Sequence, residues 1–221
     1  MLISHRHKFI FTKTVKTAGT SVEIFFEPFC APDSHTVKRV TRNIETKYGI
    51  IGARGNSAAV KSSRWYNHMP ASLIKTQIGE EVWNEYFKFT TIRNPFDKLV
   101  SWFYFRHLPK NATGIMSFDE IKREFRKYIL TSDYLPALDR DKYTIGQKIC
   151  VDRFIRYELL DLQVKEVASH LGIDVADRDL PHLKARFRQR GYSYRDYYDE
   201  ETSAVVVQAF GFELREFSYE F

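Results

Sequence analysis

The feature that most constrains this chain is a change of period that occurs twice: an apolar strand, a polar turn, then a helix. "FIFTKTVKTAGTSVEIFFEPF", Phe9 to Phe29, begins like a buried strand and ends like a helix, and "YFKFTTIRNPFDKLVSWFYF", Tyr86 to Phe105, does the same. Strand-like runs at Lys8–Thr12, Gly49–Ala53, Phe87–Ile92 and Asp152–Arg156 alternate with helical patterns. That alternation predicts a three-layer α/β fold, a parallel central sheet flanked by helices.

Several helices announce their own ends. "SFDE", Ser117 to Glu120, is a capping box that opens a helix to about Leu130. Leu160, Val164, Val167, Ala168 and Leu171 keep helical spacing up to Gly172. Ala31 to Ser63 is polar, basic and poorly periodic, which predicts loops around one short strand, and such loops often line sites.

The length of 221 residues, with no internal repeat and no low-complexity linker, suits a single domain over 1–221. Hydrophobic residues make up 43% of the chain, enough for a packed interior, and this excludes a disordered segment. Lys plus Arg exceed Asp plus Glu by 34 to 28. The resulting +6 favours anionic partners: nucleotides, sulfated or carboxylated glycans, nucleic acid or acidic lipid. Charge alone does not choose among them.

Cys30 and Cys150 form no CxxC pair and read as reduced thiols in or near the core. No apolar run approaches a membrane span, and "MLISHRHKFIF" enters its strand too soon for a signal peptide, so the expectation is a cytoplasmic protein without a membrane partner. "NAT", Asn111 to Thr113, is a glycosylation acceptor only if the chain is a trimmed lumenal domain. "HRH", His5 to His7, is too short for a metal site and reads as an exposed edge.

A helix that starts after a strand presents unpaired N–H groups and the positive end of its dipole, a ready anion site. In the first turn Gly19 permits close backbone approach, Thr20 and Ser21 offer hydroxyl donors, and Lys16 offers a mobile charge. That composition fits a phosphate. The other reading has Thr20 capping the helix, Glu23 completing the box "TSVE", and Lys16 solvated. The turn is not a Walker A motif, because Lys16 precedes the glycine and no second glycine stands upstream, which disfavours an ordinary ATPase or GTPase.

In the second turn Asn94 is a good N-cap and Pro95 suits the first helical position. Phe96, Leu99, Val100 and Phe103 make a buried face. Arg93 stands at the strand exit and Ser101 follows eight positions later, about two helical turns on. Arg grips a phosphate with two donors and a serine hydroxyl adds a third. The plain alternative is an Arg paired with a carboxylate and a Ser facing solvent.

With both turns in view, the chain resembles the sulfotransferases that use 3′-phosphoadenosine-5′-phosphosulfate (PAPS), particularly their carbohydrate O-sulfotransferase-like branch. "KTAGTS" looks like that family's 5′-phosphosulfate loop and "RNPFDKLVS" like its 3′-phosphate motif. The resemblance spans most of the chain, with the middle and the C-terminal third matching only in outline. It implies a P-loop NTPase-like sulfotransferase fold and in-line transfer of a sulfuryl group to a hydroxyl, most plausibly of a carbohydrate, without a metal.

By that resemblance Lys16 touches the bridging oxygen and the leaving phosphate. Thr17, Ala18, Gly19, Thr20 and Ser21 hold the phosphosulfate, and Arg93 and Ser101 hold the 3′-phosphate. Tyr157 in "RYELL" is either an adenine-stacking residue or a core tyrosine. Ala185 to Tyr198 is a possible further source of basic contacts to the 3′-phosphate, without a residue-by-residue match.

The acceptor hydroxyl needs a base, and imidazole suits neutral pH. His68 in "WYNHMPASLI" stands where this branch commonly has its histidine, and the alternative is a structural or surface histidine; His35 is the reserve. Trp65 and Tyr66 are either sugar-stacking or fold-supporting aromatics, and Arg54, Lys61 and Arg64 either draw an anionic glycan or are solvated charges. Two further classes stay open: a nucleotide-dependent kinase, and a nonenzymatic nucleotide or nucleic-acid binder. The aromatics fall mostly on strand and helix faces, so they are better explained by a core than by nucleic acid.

Overall fold

The computed structural model describes residues 1–55, 60, 62–109, 112–181 and 191–221. The chain forms two compact units: the first takes Met1–Ile92 and Arg140–Leu183, the second Arg93–Asp139 and Lys184–Phe221.

The first unit holds a six-stranded sheet with β1 (Leu2–Ser4), β2 (Phe9–Thr12), β3 (Ile44–Thr46), β4 (Gly49–Ile51), β5 (Phe87–Ile92) and β8 (Arg153–Arg156). Their spatial order is β3-β4-β1-β2-β5-β8. A two-stranded ribbon, β6 (Thr144–Ile145) with β7 (Lys148–Ile149), stands apart from it.

The sheet is mixed, a correction to the expected parallel one. Only β2–β5 and β5–β8 pair in parallel, while β1 runs antiparallel to β2 and β4, and β3 antiparallel to β4. The reason is connection length: residues 5–8 join β1 to β2 and residues 47–48 join β3 to β4. Links that short close hairpins, whereas parallel neighbours need a long crossover. His5 to His7 therefore form a hairpin turn and not an edge, with His5 Nδ1 2.9 Å from the Tyr86 hydroxyl. Among the described residues of 31–63 there are likewise two strands where one was expected. Gly49 begins the second of them because a Cβ there would stand 2.2 Å from the Ile3 carbonyl oxygen.

The period of two in the strands sends side chains to both faces. Leu2, Phe9, Phe11, Ile51, Phe89 and Ile155 pack with Val22, Phe25 and Phe26 of α1 (Gly19–Phe26) and with Leu160, Val164 and Val167 of the helix Leu160–His170. Ile3, Ile10 and Ile50 pack on the opposite face with Trp65 and Met69, with Ile74 of α2 (Ala71–Ile78) and with Trp83 of α3 (Glu80–Glu85). Helices thus cover both faces, as the alternating pattern predicts.

The second unit is helical. In α4 (Pro95–Arg106), Phe96, Leu99, Val100 and Phe103 are all buried. Ser117 caps the helix Phe118–Leu130 through the expected capping box. Phe103 and Phe125 meet edge to face at 5.2 Å, and the Tyr198 hydroxyl donates to the Phe96 carbonyl at 2.9 Å. A buried Lys98–Asp139 pair at 2.5 Å completes the interior. No helix among the described residues is long and apolar enough to cross a membrane.

Candidate functional site

β2 ends at Thr12 and α1 begins at Gly19, so the turn between them is the segment read as a phosphosulfate loop. Lys16 and Ala18 sit at φ of 58° and 61°, while Thr17 between them stays outside the positive-φ region. Alternation of that kind turns successive amides to one side and makes an anion-binding concavity. Ala18 is the N-cap residue in a left-handed conformation, with no side-chain cap. The capping-box reading of "TSVE" is thereby overturned. The Ser21 and Val22 amides return to the Ala18 carbonyl at 2.8 and 3.2 Å. The amides of Gly19 and Thr20 lie ahead of those bonds and have no partner inside the helix.

Buried hydroxyls pin this turn to β5. Thr17 Oγ1 lies 2.6 Å from Thr91 Oγ1 and 2.7 Å from Thr14 Oγ1, and Thr14 Oγ1 donates to the Thr91 carbonyl at 2.5 Å. The Thr17 side chain is therefore committed to the scaffold. Lys16 is half-buried, Thr20 half-buried and Ser21 buried.

Lys13, buried at the exit of β2, joins this turn to its surroundings. Its Nζ donates to Glu23 Oε2 at 2.5 Å, to Thr20 Oγ1 at 3.1 Å and to Asn67 Oδ1 at 3.4 Å. A Cβ on Gly19 would stand 2.8 Å from Lys13 Cγ, so glycine is needed where the lysine stem crosses the helix start. Burial pushes the Glu23 carboxyl up, but Lys13, the Met1 amino group and Arg54 outweigh it and hold it down to about 2. One helical turn on, Glu27 pairs with Arg54 at 2.5 Å and with His35 at 2.8 Å.

His68 joins the site through the same residue, its Nδ1 lying 3.1 Å from the Lys13 carbonyl oxygen. A carbonyl only accepts, so the proton is on Nδ1 and the Nε2 lone pair is directed away. His68 keeps some surface exposure, yet its imidazole is packed closely enough that burial, then the Lys13 charge, push its pKa down to about 3. Its φ of 57° makes it, with Lys16 and Ala18, one of three left-handed residues at this site.

The second motif belongs to the second unit. Arg93 Nε donates to Asp97 Oδ2 at 2.6 Å, which orients the guanidinium. Asn94 caps α4, its side chain accepting from the Phe96 amide at 3.0 Å and donating to the Glu220 carbonyl at 2.8 Å. Ser101 is half-buried on α4. In the first unit, Tyr157 is half-buried and opens the 3-10 turn Tyr157–Leu159 directly after β8.

Several side chains offered by the sequence prove structural. Trp65 is fully buried and donates from Nε1 to Glu45 at 3.0 Å, so it is a core aromatic. Arg54 is buried against Glu23 and Glu27 and is neither solvated nor presented to a glycan, and His35 is tied to Glu27. Arg64 faces Glu45 at 3.4 Å on the surface, and Tyr66 is half-buried. Lys61, Asn111 and residues 185–190 lie outside the described residues.

Lys13 and Asn67 were not singled out from sequence, and Glu23 was read only as the end of a capping box. The available signal was "EIFFE": Glu23 and Glu27 one turn apart on a helix otherwise apolar demand buried cations, and Lys13 and Arg54 supply them.

The family model described as the sulfotransferase family matches residues 1–178. An uncharacterized protein of Archaeoglobus fulgidus is 28% identical over 109 residues, covering 48% of this chain and 83% of the relative. No solved structure matches the chain.

Proposed function

The chain belongs to the sulfotransferase family, and from that premise we propose that it moves a sulfuryl group from PAPS to a hydroxyl acceptor, a carbohydrate. The reading treats residues 1–221 as one sulfotransferase domain, since the matched region 1–178 runs through parts of both compact units. The observation that carries it is the alternating backbone of Lys16–Ala18 at the start of α1, an anion cradle with a lysine in it and a neutral imidazole beside it.

When bound, PAPS supplies the sulfuryl group and a phosphate able to leave. The amides of Ala18, Gly19 and Thr20 and the hydroxyls of Thr20 and Ser21 bind the phosphosulfate, and Lys16 stabilises the charge that grows on the leaving oxygen. Arg93, aimed by Asp97, and Ser101 bind the 3′-phosphate, and Tyr157 stacks on the adenine. His68 would take the proton of the acceptor hydroxyl at Nε2. A pKa near 3 leaves His68 neutral but weakly basic, and anionic charge in the cradle offsets the Lys13 charge and raises its basicity in the complex.

The test is release of 3′-phosphoadenosine-5′-phosphate (PAP) from PAPS with a panel of carbohydrates, using wild type, Lys16→Ala and His68→Ala. Acceptor-dependent release, lost in both variants, is expected. Normal turnover in Lys16→Ala overturns the assignment.

A further inference from the structure

Resting on that reading, we propose that Lys13 is a positioning residue that sets the hydrogen-bond direction of two reacting-site groups, making Thr20 a donor toward the 5′ anion and His68 an acceptor. Lys13 lies outside the "KTAGTS" stretch and touches both groups with different atoms.

An ammonium has protons and no lone pair, so the 3.1 Å contact from Lys13 Nζ makes Thr20 Oγ1 the acceptor. The Thr20 hydroxyl proton must then point elsewhere, and a donor whose oxygen already accepts from a cation is a stronger donor. Thr20 stands on the first turn of α1, where the amides also present donors. All these groups therefore face an anion with the same sign.

At its other end Lys13 presents a carbonyl, which fixes the proton of His68 on Nδ1 and reserves Nε2 for the acceptor. The ammonium is held in place by Glu23, buried on α1, and by Asn67, the residue before His68. Its stem is fixed against Gly19, where a Cβ would collide with it at 2.8 Å. One buried residue thus spans the helix start and the 67–68 segment, with its side chain at Thr20, Glu23 and Asn67 and its carbonyl at His68. Lys13 serves the reaction through Thr20 and His68, without itself touching the reacting atoms.

The experiment compares binding of PAP with that of 3′-AMP, which lacks the 5′-phosphate, by calorimetry on the full chain. Thr20→Val is expected to weaken PAP about tenfold and leave 3′-AMP unchanged, and Thr20→Ser to restore PAP. In a Glu23→Gln background that keeps the charge balanced, Lys13→Met should cost PAP a similar factor, and adding Thr20→Val should cost little more. A purely structural lysine would instead weaken both ligands alike, and additive losses would likewise overturn the proposal. Nitrogen-15 spectra of wild-type His68 should show the Nδ1–H tautomer, and an Nε2–H tautomer would overturn the His68 half regardless of ligand. A wild type that binds PAP in an Arg93-dependent way while Thr20→Val changes nothing removes this inference alone. A wild type that binds neither nucleotide removes the donor-binding reading, and with it the Thr20 half.

Discussion

The two strand-to-helix turns look alike in sequence and differ in what they leave for a ligand. At the first, Ala18 adopts a left-handed conformation with no side-chain cap, so the opening amides of α1 remain on offer. At the second, the Asn94 side chain takes the Phe96 amide and Pro95 contributes no N–H at all. On the proposed reading the first turn would meet an anion with its backbone, whereas the second, with the Phe96 amide capped and no N–H on Pro95, would rest on the Arg93 and Ser101 side chains. A strand-to-helix turn is thus not an anion site by position alone; the cap decides which atoms do the binding.

That contrast orders the expected effects. Arg93→Ala should have the largest, about a hundredfold loss of PAP affinity, because a side-chain site has no backbone to fall back on, and Arg93→Lys should recover little of it. A small loss on Arg93→Ala would break the comparison. Calorimetry reads both variants.

Next comes the acid sensitivity of the first site. His68 has a folded pKa near 3 against about 6.5 when unfolded, so the unfolded chain binds the extra proton and stability falls as pH drops from about 6.5 toward 3. The slope from this group is at most about 1.4 kcal/mol per pH unit. The charges of Lys13, the Met1 amino group and Glu23 act on the ring, and Glu23, held down to about 2, adds its own loss only below about 4.5. Denaturant midpoints across pH for wild type and His68→Asn should differ in slope between pH 6 and 4 and converge in slope above 7.

Gly19→Ala drives a methyl into the Lys13 stem and should cost about 1–3 kcal/mol of stability, together with PAP affinity, since the collision lies inside the cradle. Asn94→Ala should cost about 1 kcal/mol through the lost cap, with little change in PAP affinity. A large affinity change there would mean the two turns bind anions in the same way.

Much of the fold was legible because it rests on period. The strands at Phe9–Thr12 and Phe87–Ile92, the Asn94 cap and the Ser117 capping box follow from local spacing and local chemistry. The mixed sheet was not legible as a whole, because the pairing of Leu2–Ser4 with Gly49–Ile51 is a long-range event that three-residue runs do not announce. At the site, the positions of the Lys16 turn and of Arg93 beside the Asn94 cap could be read. The roles of Thr17 and Arg54 could not, since burial decides them: each carries a polar group that the interior consumes, whereas the fold-supporting alternative for Trp65 is the one its burial bears out. Lys13 was hidden for the same reason, a lysine in a polar turn being ordinary until Glu23 and Gly19 are seen against it.

The most direct test of the central claim, that this chain holds a 3′-phosphorylated adenosine donor, is titration calorimetry of wild type and Arg93→Ala with PAP beside ADP and ATP. Tight binding of PAP that falls sharply without the 3′-phosphate, and is lost with Arg93, is the result expected. Equal or tighter binding of ATP, unaffected by Arg93→Ala, would contradict it and return the chain to the kinase reading.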